Sequence, residues 1–293
     1  MVHHDKAAPG LNHAIVLLSC KDRKGISAAV VNFIFQNQGN IVHADQHTDD
    51  QSQTFFMRVE WSLEGFSLKR EDIRPAFAAI AALFNMQWRI FFTDEKPRVA
   101  IFVSKHLHCL YDLLYRYKTG QLFCDIVLVL SNHPDARQVS EDFGIKFAES
   151  AVFHHNKEEV EAKQIELLTV ENVDFIILAR YHQVLTKSFV DRYPAQIINI
   201  HHSFLPAFAG SNPYLQAYQK GVKVIGATSH YVTEILDDGP IIAQDTVAIS
   251  HRDSLDDLKR KGEDLEKVVL SRAVRWHLER KILSYGHKTV VFD

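Results

Sequence analysis

The alternation of apolar and polar positions divides the chain into two differently built stretches. Ala14-Ile15-Val16-Leu17-Leu18 is a short apolar run that reads as a strand, followed by the polar turn Lys21-Asp22-Arg23-Lys24-Gly25. From Ile26 to Phe35 the apolar residues recur at helical spacing, closed by Gly39. Ile41 to Ala44 and Phe55 to Trp61 are strand-like, joined by the polar link Thr48 to Gln53. Ile73 to Leu83 reads as a second helix and Trp88 to Phe92 as a last strand. The order βαββαβ predicts a four-stranded antiparallel sheet with both helices on one face, because such a sheet would otherwise expose a large apolar surface.

Thr93-Asp94-Glu95-Lys96-Pro97 is polar and ends in proline. It places a first domain at 1–93, a linker at 94–97 and a second domain at 98–293. The second domain opens with the strand Val99 to Val103 and a helix from Leu107 to Arg116. Asp125 to Leu130 is nearly all apolar, as expected of a parallel strand covered on both faces. A helix over Asp135 to Phe143, a short strand over Ile145 to Ala148 and a helix over Lys157 to Leu168 follow, then buried strands at Asp174 to Ala179 and Gln196 to Asn199. This is an α/β pattern. Beyond Asn199, Val222 to Ile225 and His230 to Val232 are strand-like around Gly226, and Ile241 to Ile249 alternates, which predicts an antiparallel extension of a mostly parallel sheet. Leu265, Val268, Val269, Ala273 and Trp276 mark one face of a long final helix.

Composition narrows the function classes. A formal charge of -3 over 293 residues argues against nucleic-acid binding, which calls for a concentrated basic face. Arg272, Arg275 and Arg280 read as a solvated helix face. No apolar stretch approaches the roughly 18 residues that a membrane span needs, so no membrane partner is expected. The start, Met1-Val2-His3-His4-Asp5-Lys6 running into Pro9-Gly10, lacks a signal-peptide pattern, and the expected location is cytoplasmic. Cys20, Cys109 and Cys124 are widely spaced and form no C-x-x-C pair, so no disulfide framework is predicted.

The candidate chemistry begins at Ile197-Ile198-Asn199-Ile200-His201-His202-Ser203-Phe204-Leu205-Pro206, a buried strand that stops at polar residues. Strand exits are where open α/β sheets keep their chemistry. Asn199 carries an amide able to donate to a developing oxyanion, and His201 carries a proton-transfer group for neutral pH. Asp237 returns to the same point if the intervening chain forms a helix and an adjacent strand. Taken singly, each residue has an ordinary explanation: a turn former, one of 17 histidines, and an acid in an Asp-Asp-Gly turn. His201, His202, His230 and Asp237 raise the question of zinc, but the chain has no H-E-x-x-H and no paired-cysteine ligand set, and no metal is expected. His43 and His47, four apart, read as chance spacing.

Three segments carry a family resemblance: Asn199 to Gly210 with Leu205-Pro206 inside it, Gly226-Ala227-Thr228-Ser229-His230-Tyr231-Val232, and Leu236-Asp237-Asp238-Gly239-Pro240-Ile241-Ile242. Together they resemble the folate-dependent formyltransferase fold, which implies a Rossmann-like second domain. Asp22-x-x-Gly25-Ile26 and the helix after it resemble an ACT domain, a ferredoxin-like regulatory or oligomerisation unit. The pairing is similar to the formyltetrahydrofolate deformylase family, hydrolases that release formate from 10-formyltetrahydrofolate. The resemblance implies Asn199, His201 and Asp237 as catalytic residues. It implies a folate pocket made by Arg180, Tyr181, His182, Val184 and Leu185, with backbone near Val184 and Leu185 reading the pterin edge, and by His230, Val232 and Leu236. His182 stands where the family commonly has methionine.

The resemblance further implies folate as substrate, no tightly bound cofactor and no metal. Asp22, Gly25 and Ile26 become candidate residues for a glycine or methionine effector, with Asp22 either meeting the ligand's ammonium or capping the helix. A homo-oligomer, dimer or tetramer, is expected from ACT pairing. In the loop Ser104-Lys105-His106-Leu107-His108-Cys109 there is no glycine to cradle a phosphate, and its bulky side chains would fill an acceptor's space, which favours water as acceptor. Two other functions remain open at this point: formyl transfer to an amine, and a folate or amino-acid sensor without catalysis.

Overall fold

The first unit is organised around β1 (His13–Lys21), which pairs antiparallel with β3 (Thr54–Ser62) on one side and β4 (Gln87–Phe92) on the other. β2 (Asn40–Asp49) lies outside β3, so the sheet order is β2-β3-β1-β4. The computed structural model describes residues 12–153, 155–207 and 213–293. Because side chains alternate along a strand, Ala14, Val16 and Leu18 share a face with Met57, Val59 and Trp61. That face forms one core with Val30, Phe33 and Ile34 of α1 (Ile26–Gln36) and Ile73 and Phe77 of α2 (Arg70–Phe84). The helices therefore cover one side of the sheet, as the apolar pattern requires.

The opposite face is buried at its centre, on β1 and β3. Arg58, only 3% exposed, donates from Nε to the carbonyl of Arg280 at 3.0 Å and from Nη2 to Glu60 at 2.8 Å. The Arg280 guanidinium lies over the Phe91 ring, 4.3 Å from its centroid. Contacts accordingly group Arg280–Leu283 and Val290–Asp293 with the described residues up to Lys96, whereas the sequence reading ran the second domain unbroken from 98 to 293. The hairpin that carries these segments, β12 (Ile282–Tyr285) and β13 (Lys288–Val291), is too short to leave a hydrophobic pattern.

In the second unit the sheet has seven strands. β5 (Arg98–Val103), β6 (Asp125–Ser131), β7 (Lys146–Glu149), β8 (Phe175–Ala179) and β9 (Ile197–His201) are mutually parallel. β10 (Val224–Tyr231) runs antiparallel between β9 and β11 (Ile241–Ala248), giving the order β11-β10-β9-β8-β5-β6-β7. The predicted antiparallel extension is present, but Gly226 does not interrupt it: the two strand-like pieces around that glycine are one continuous strand. The chain leaves β5 first toward β6 and β7, then returns to lay β8 on the other side of β5, so the crevice at the carboxyl ends of β5 and β8 is a topological switch point.

The connecting helices are α3 (His108–Lys118), α4 (Arg137–Asp142) after a 3-10 turn at Pro134–Ala136, α5 (Lys157–Val170), α6 (Lys187–Arg192), α7 (Pro213–Lys220) and α8 (Leu255–Leu278). α8 starts with a capping box between Ser254 and Asp257 and packs against β9, β10, β11, α3 and α7. Its buried stripe is Leu258, Gly262, Glu266, Val269, Leu270, Ala273 and Val274. Val268, counted on the buried face from its hydrophobicity, is 44% exposed. The true stripe contains a glycine and a glutamate, which a search for apolar periodicity passes over. Among the described residues no helix is long and apolar enough to cross a membrane, and Cys20, Cys109 and Cys124 are buried and form no disulfide.

Candidate active site

Asn199 and His201 are two apart on β9 and so present side chains to the same face. The antiparallel register sets His230 of β10 directly opposite Asn199, and Asn199 Nδ2 lies 3.2 Å from His230 Nε2. Thr228 is opposite His201; its hydroxyl donates to the Ser203 carbonyl at 2.8 Å and accepts from Leu205 N at 3.1 Å, tying down the turn that follows β9. Phe208 and Gly210, the end of the first motif, lie outside the described residues.

The third residue arrives on the loop between β10 and β11. Asp237 holds φ at 55°, a left-handed conformation for a non-glycine residue. Two residues on, Gly239 lies so close to β10 that a Cβ there would stand 1.7 Å from the Tyr231 carbonyl oxygen. Only glycine permits that approach, and the turn folds Asp237 back onto the strand ends. Asp237 Oδ2 comes within 3.1 Å of His201 Nδ1, and Oδ1 within 3.7 Å of His230 Nε2.

These contacts determine how the rings are used. His230 Nδ1 is 2.9 Å from the Tyr231 carbonyl, which only accepts, so Nδ1 carries a proton and in the neutral ring Nε2 accepts from the Asn199 amide. The 3.7 Å separation of His230 Nε2 from Asp237 exceeds hydrogen-bond length and becomes an interaction of charge only when the ring is protonated. Burial pushes the Asp237 carboxyl up, but His201 and His230 beside it outweigh that and hold it well below the usual carboxylate range. With Nδ1 committed to Asp237, the other His201 nitrogen, Nε2, is buried and has no hydrogen-bond partner.

A cavity of about 290 Å³ opens at this point. Its lining includes Asn199, His201 and Asp237 together with Arg180, Tyr181, His182, Val184, Leu185, His230, Val232 and Leu236, so every residue expected to act on or hold substrate surrounds one space. The segment from Arg180 to Leu185 is not the start of a helix: α6 begins only at Lys187, after the N-cap Thr186. Buried Glu161 of α5 accepts from both the backbone N–H and the hydroxyl of Thr186. At the other end, Ser104 accepts at Oγ from His182 N at 3.1 Å, while its own N–H donates to Arg180 O at 3.2 Å and its hydroxyl to Asn132 at 2.6 Å. The loops after β5, β6 and β8 are thus bound to one serine. Burial raises the Tyr181 phenol to about 12. Burial, with Arg180 close by, lowers His182 to about 4 and His202 to about 3, so both rings are neutral near pH 7.

Glu266 of α8 was missed from the sequence. It is fully buried, accepting from Tyr214 OH and from His108 Nε2 at 2.8 Å, with Arg180 Nε 3.5 Å away. Burial raises its carboxyl, and His108 and Arg180 outweigh this to leave it lowered. Its sequence signal was an acid in the buried stripe of a helix. His108, Cys109 and Glu266 have ligand-type atoms within 4.8 Å of one another. Glu266 is already committed to cationic and hydroxyl donors, however, and burial raises the Cys109 thiol well above its ordinary value, which disfavours the thiolate a metal needs.

The effector candidates belong to the first unit. Asp22 and Gly25 are exposed, whereas the Ile26 side chain belongs to the core under the sheet. Gly25, at φ 97°, occupies the N-cap of α1 without a side-chain cap bond, so the alternative of Asp22 as a cap is not what the chain adopts.

The formyl transferase family matches residues 97–274 and the ACT domain family residues 14–82. The chain is 52% identical over 279 residues to a formyltetrahydrofolate deformylase of Synechocystis, covering 95% of this chain and 98% of that one. The chain belongs to the formyltetrahydrofolate deformylase family. The Bacillus subtilis deformylase is 48% identical over 95% of this chain and 93% of its own. The crystal structure of a deformylase from Pseudomonas syringae pv. tomato superposes with a TM-score of 0.95 at 44% identity, covering 98% of this chain and 96% of that one. Deformylase membership brings the two domain types together in one chain, as the hydrophobic pattern and the two motif groups anticipated.

Proposed function

We propose that this protein hydrolyses 10-formyltetrahydrofolate to formate and tetrahydrofolate in the cavity around His201. The observation that carries the reading is the pairing of His201 Nδ1 with Asp237, which leaves Nε2 as a buried, unpartnered nitrogen on the cavity wall beside Asn199. In the neutral ring, Nδ1–H on Asp237 leaves Nε2 with a lone pair for the proton of an attacking water. The water oxygen bonds to the formyl carbon and the carbonyl oxygen becomes an alkoxide. Asn199, oriented by His230, donates its free amide N–H to that alkoxide; one such donor is worth about 3 kcal/mol in the transition state. The His201 imidazolium, stabilised by Asp237, passes its proton to N10 as the C–N10 bond breaks. A carboxylate held this far below its ordinary range is a weak base, so the role of Asp237 is to orient and to compensate charge.

Val184, Leu185, Val232 and Leu236 give the cavity its apolar lining, suited to a pterin ring, and the backbone after β8 supplies donors and acceptors for its edge. In this reading folate is the substrate and no tightly bound cofactor or metal takes part. Purified protein given 10-formyltetrahydrofolate and no amine acceptor should release formate and tetrahydrofolate in equal amounts. Folate binding without formate release would defeat the reading in favour of a transferase or a sensor.

The ACT unit is assigned to control by glycine or methionine near Asp22 and Gly25 and to homo-oligomer formation, within the cytoplasm. Rates measured across a titration of both amino acids, with sedimentation of the protein in each condition, test this. A flat rate rules out the effectors, and a monomer rules out the assembly.

A further inference from the structure

The hydrolytic reading leaves open what keeps amines away from the formyl group, and one cluster beside the cavity supplies an answer on which that reading depends. Arg180 leaves β8 at φ 63°, a left-handed conformation that a side chain disfavours, yet the position holds one of the bulkiest side chains. Its side chain is about 10% exposed and lines the cavity together with His201 and His202. Its Nε is buried without a hydrogen-bond partner, and the nearest carboxylate oxygen, Glu266 Oε2 at 3.5 Å, is already bonded to His108. The ion pair is therefore a loose one and does not by itself account for a strained arginine.

The anchor has been built around independently. Gly262 lies one turn before Glu266, and a Cβ there would stand 2.1 Å from the Tyr214 hydroxyl; its absence lets Tyr214 reach Glu266. The Tyr214 ring lies 5.8 Å from that of His202, which is 5.1 Å from that of His201. Of this cluster Arg180 lines the cavity, beside His201 and His202, while Glu266, with its partners His108 and Tyr214, lies next to Arg180.

We propose that Arg180, propped on Glu266, is a specificity-determining plug: it occupies the space from which a primary amine would approach the formyl carbon, and leaves room for water. Its charge also disfavours a protonated amine. In water's reaction oxygen bonds to the formyl carbon and N10 takes the proton. In the excluded reaction an amine nitrogen would form that bond, lose its proton to N10 and release the same tetrahydrofolate, with an N-formyl amide in place of formate.

The test uses the full-length protein with 10-formyltetrahydrofolate and an excess of glycinamide, measuring tetrahydrofolate, formate and N-formylglycinamide together. Arg180→Gly relieves the backbone and empties the space, and the ratio of N-formylglycinamide to formate should rise by roughly tenfold or more, the range that pocket occupancy commands. Arg180→Lys, which keeps the charge and most of the length, should stay near the wild-type ratio. Glu266→Gln, which loosens the prop without emptying the helix, should give an intermediate rise and serves if Arg180→Gly does not fold. A wild-type ratio in a folded Arg180→Gly or Glu266→Gln that still releases tetrahydrofolate overturns the proposal. Because Arg180 also lines the folate cavity, a folded Arg180→Gly that releases no tetrahydrofolate leaves the decision to the ratio measured in Glu266→Gln. Failure of the wild type itself to release formate without an amine would instead sink the hydrolytic reading.

Discussion

Two carboxylates in the second unit each grip a histidine, and they do so for opposite ends. Asp237 sits on a loop in a left-handed conformation and shares its cavity with a histidine nitrogen that has no partner. Glu266 sits in the middle of a helix, fully buried, with its oxygens accepting from His108 and Tyr214 and Arg180 close by. Both carboxyls are held below their ordinary range. What separates them is what remains unsatisfied. An acid–histidine pair with a spare nitrogen facing a cavity can move a proton, whereas one saturated within the interior can only hold a shape.

Substitutions should separate the two. The largest effect is expected at the open pair: His201→Ala should lower turnover by about 10³-fold or more, since it removes both the proton carrier and a charged donor, while folate binding measured by fluorescence titration is largely kept. Asp237→Asn should lower turnover by roughly 10²- to 10³-fold, through a wrongly oriented imidazole, with little change in the denaturant midpoint. Glu266→Ala reverses the pattern. It leaves His108 and Arg180 buried without their acid and should destabilise the fold by about 3–5 kcal/mol, read from urea unfolding. Equal losses of stability for Asp237→Asn and Glu266→Ala would erase the distinction.

Acid provides a subtler probe. His182 at about 4 and His202 at about 3 lie below the ordinary histidine value of 6.5. As pH falls below that value the unfolded chain takes up protons that the folded chain refuses, so stability declines from about pH 6.5 downward. The depressed carboxyls of Asp237 and Glu266 contribute stability above the ordinary carboxylate range and lose it only at lower pH. Melting temperature should therefore begin to fall near pH 6.5, and His202→Asn should flatten the upper part of that slope; an unchanged slope would remove His202 from the account. The smallest effect is expected at the loop clamp, where Ser104→Ala should cost on the order of 1 kcal/mol in unfolding experiments, as the buried serine hydroxyl that ties His182 N and Asn132 together is lost.

The strands of both units were legible because long apolar runs and alternation leave few other readings. Asn199 and His201 were legible because they end such a run, whereas Asp237, in an ordinary-looking Asp-Asp-Gly turn, was picked out by the family resemblance. Val268 was misplaced and Glu266 overlooked for a single reason: periodicity detects apolar side chains, and the buried stripe of α8 is closed by a glycine and a glutamate whose partners come from α3, α7 and the end of β8. No local signal announces a buried acid when every partner is distant in sequence. α6 and the hairpin of β12 and β13 are too short to show a period, and the helix anticipated between Asn199 and Asp237 could be given no bounds for the same reason.

Arg58 donates to the carbonyl of Arg280, 222 positions further along, and residues 280–283 and 290–293 belong with the sheet formed by the opening ninety-odd residues. A ribosome therefore exposes that sheet long before it has made the segments that cover one side of it. The ACT unit begins to emerge early and is completed only once residues 280–293 are made, and removing those residues would be felt in a sheet whose first strand starts at His13.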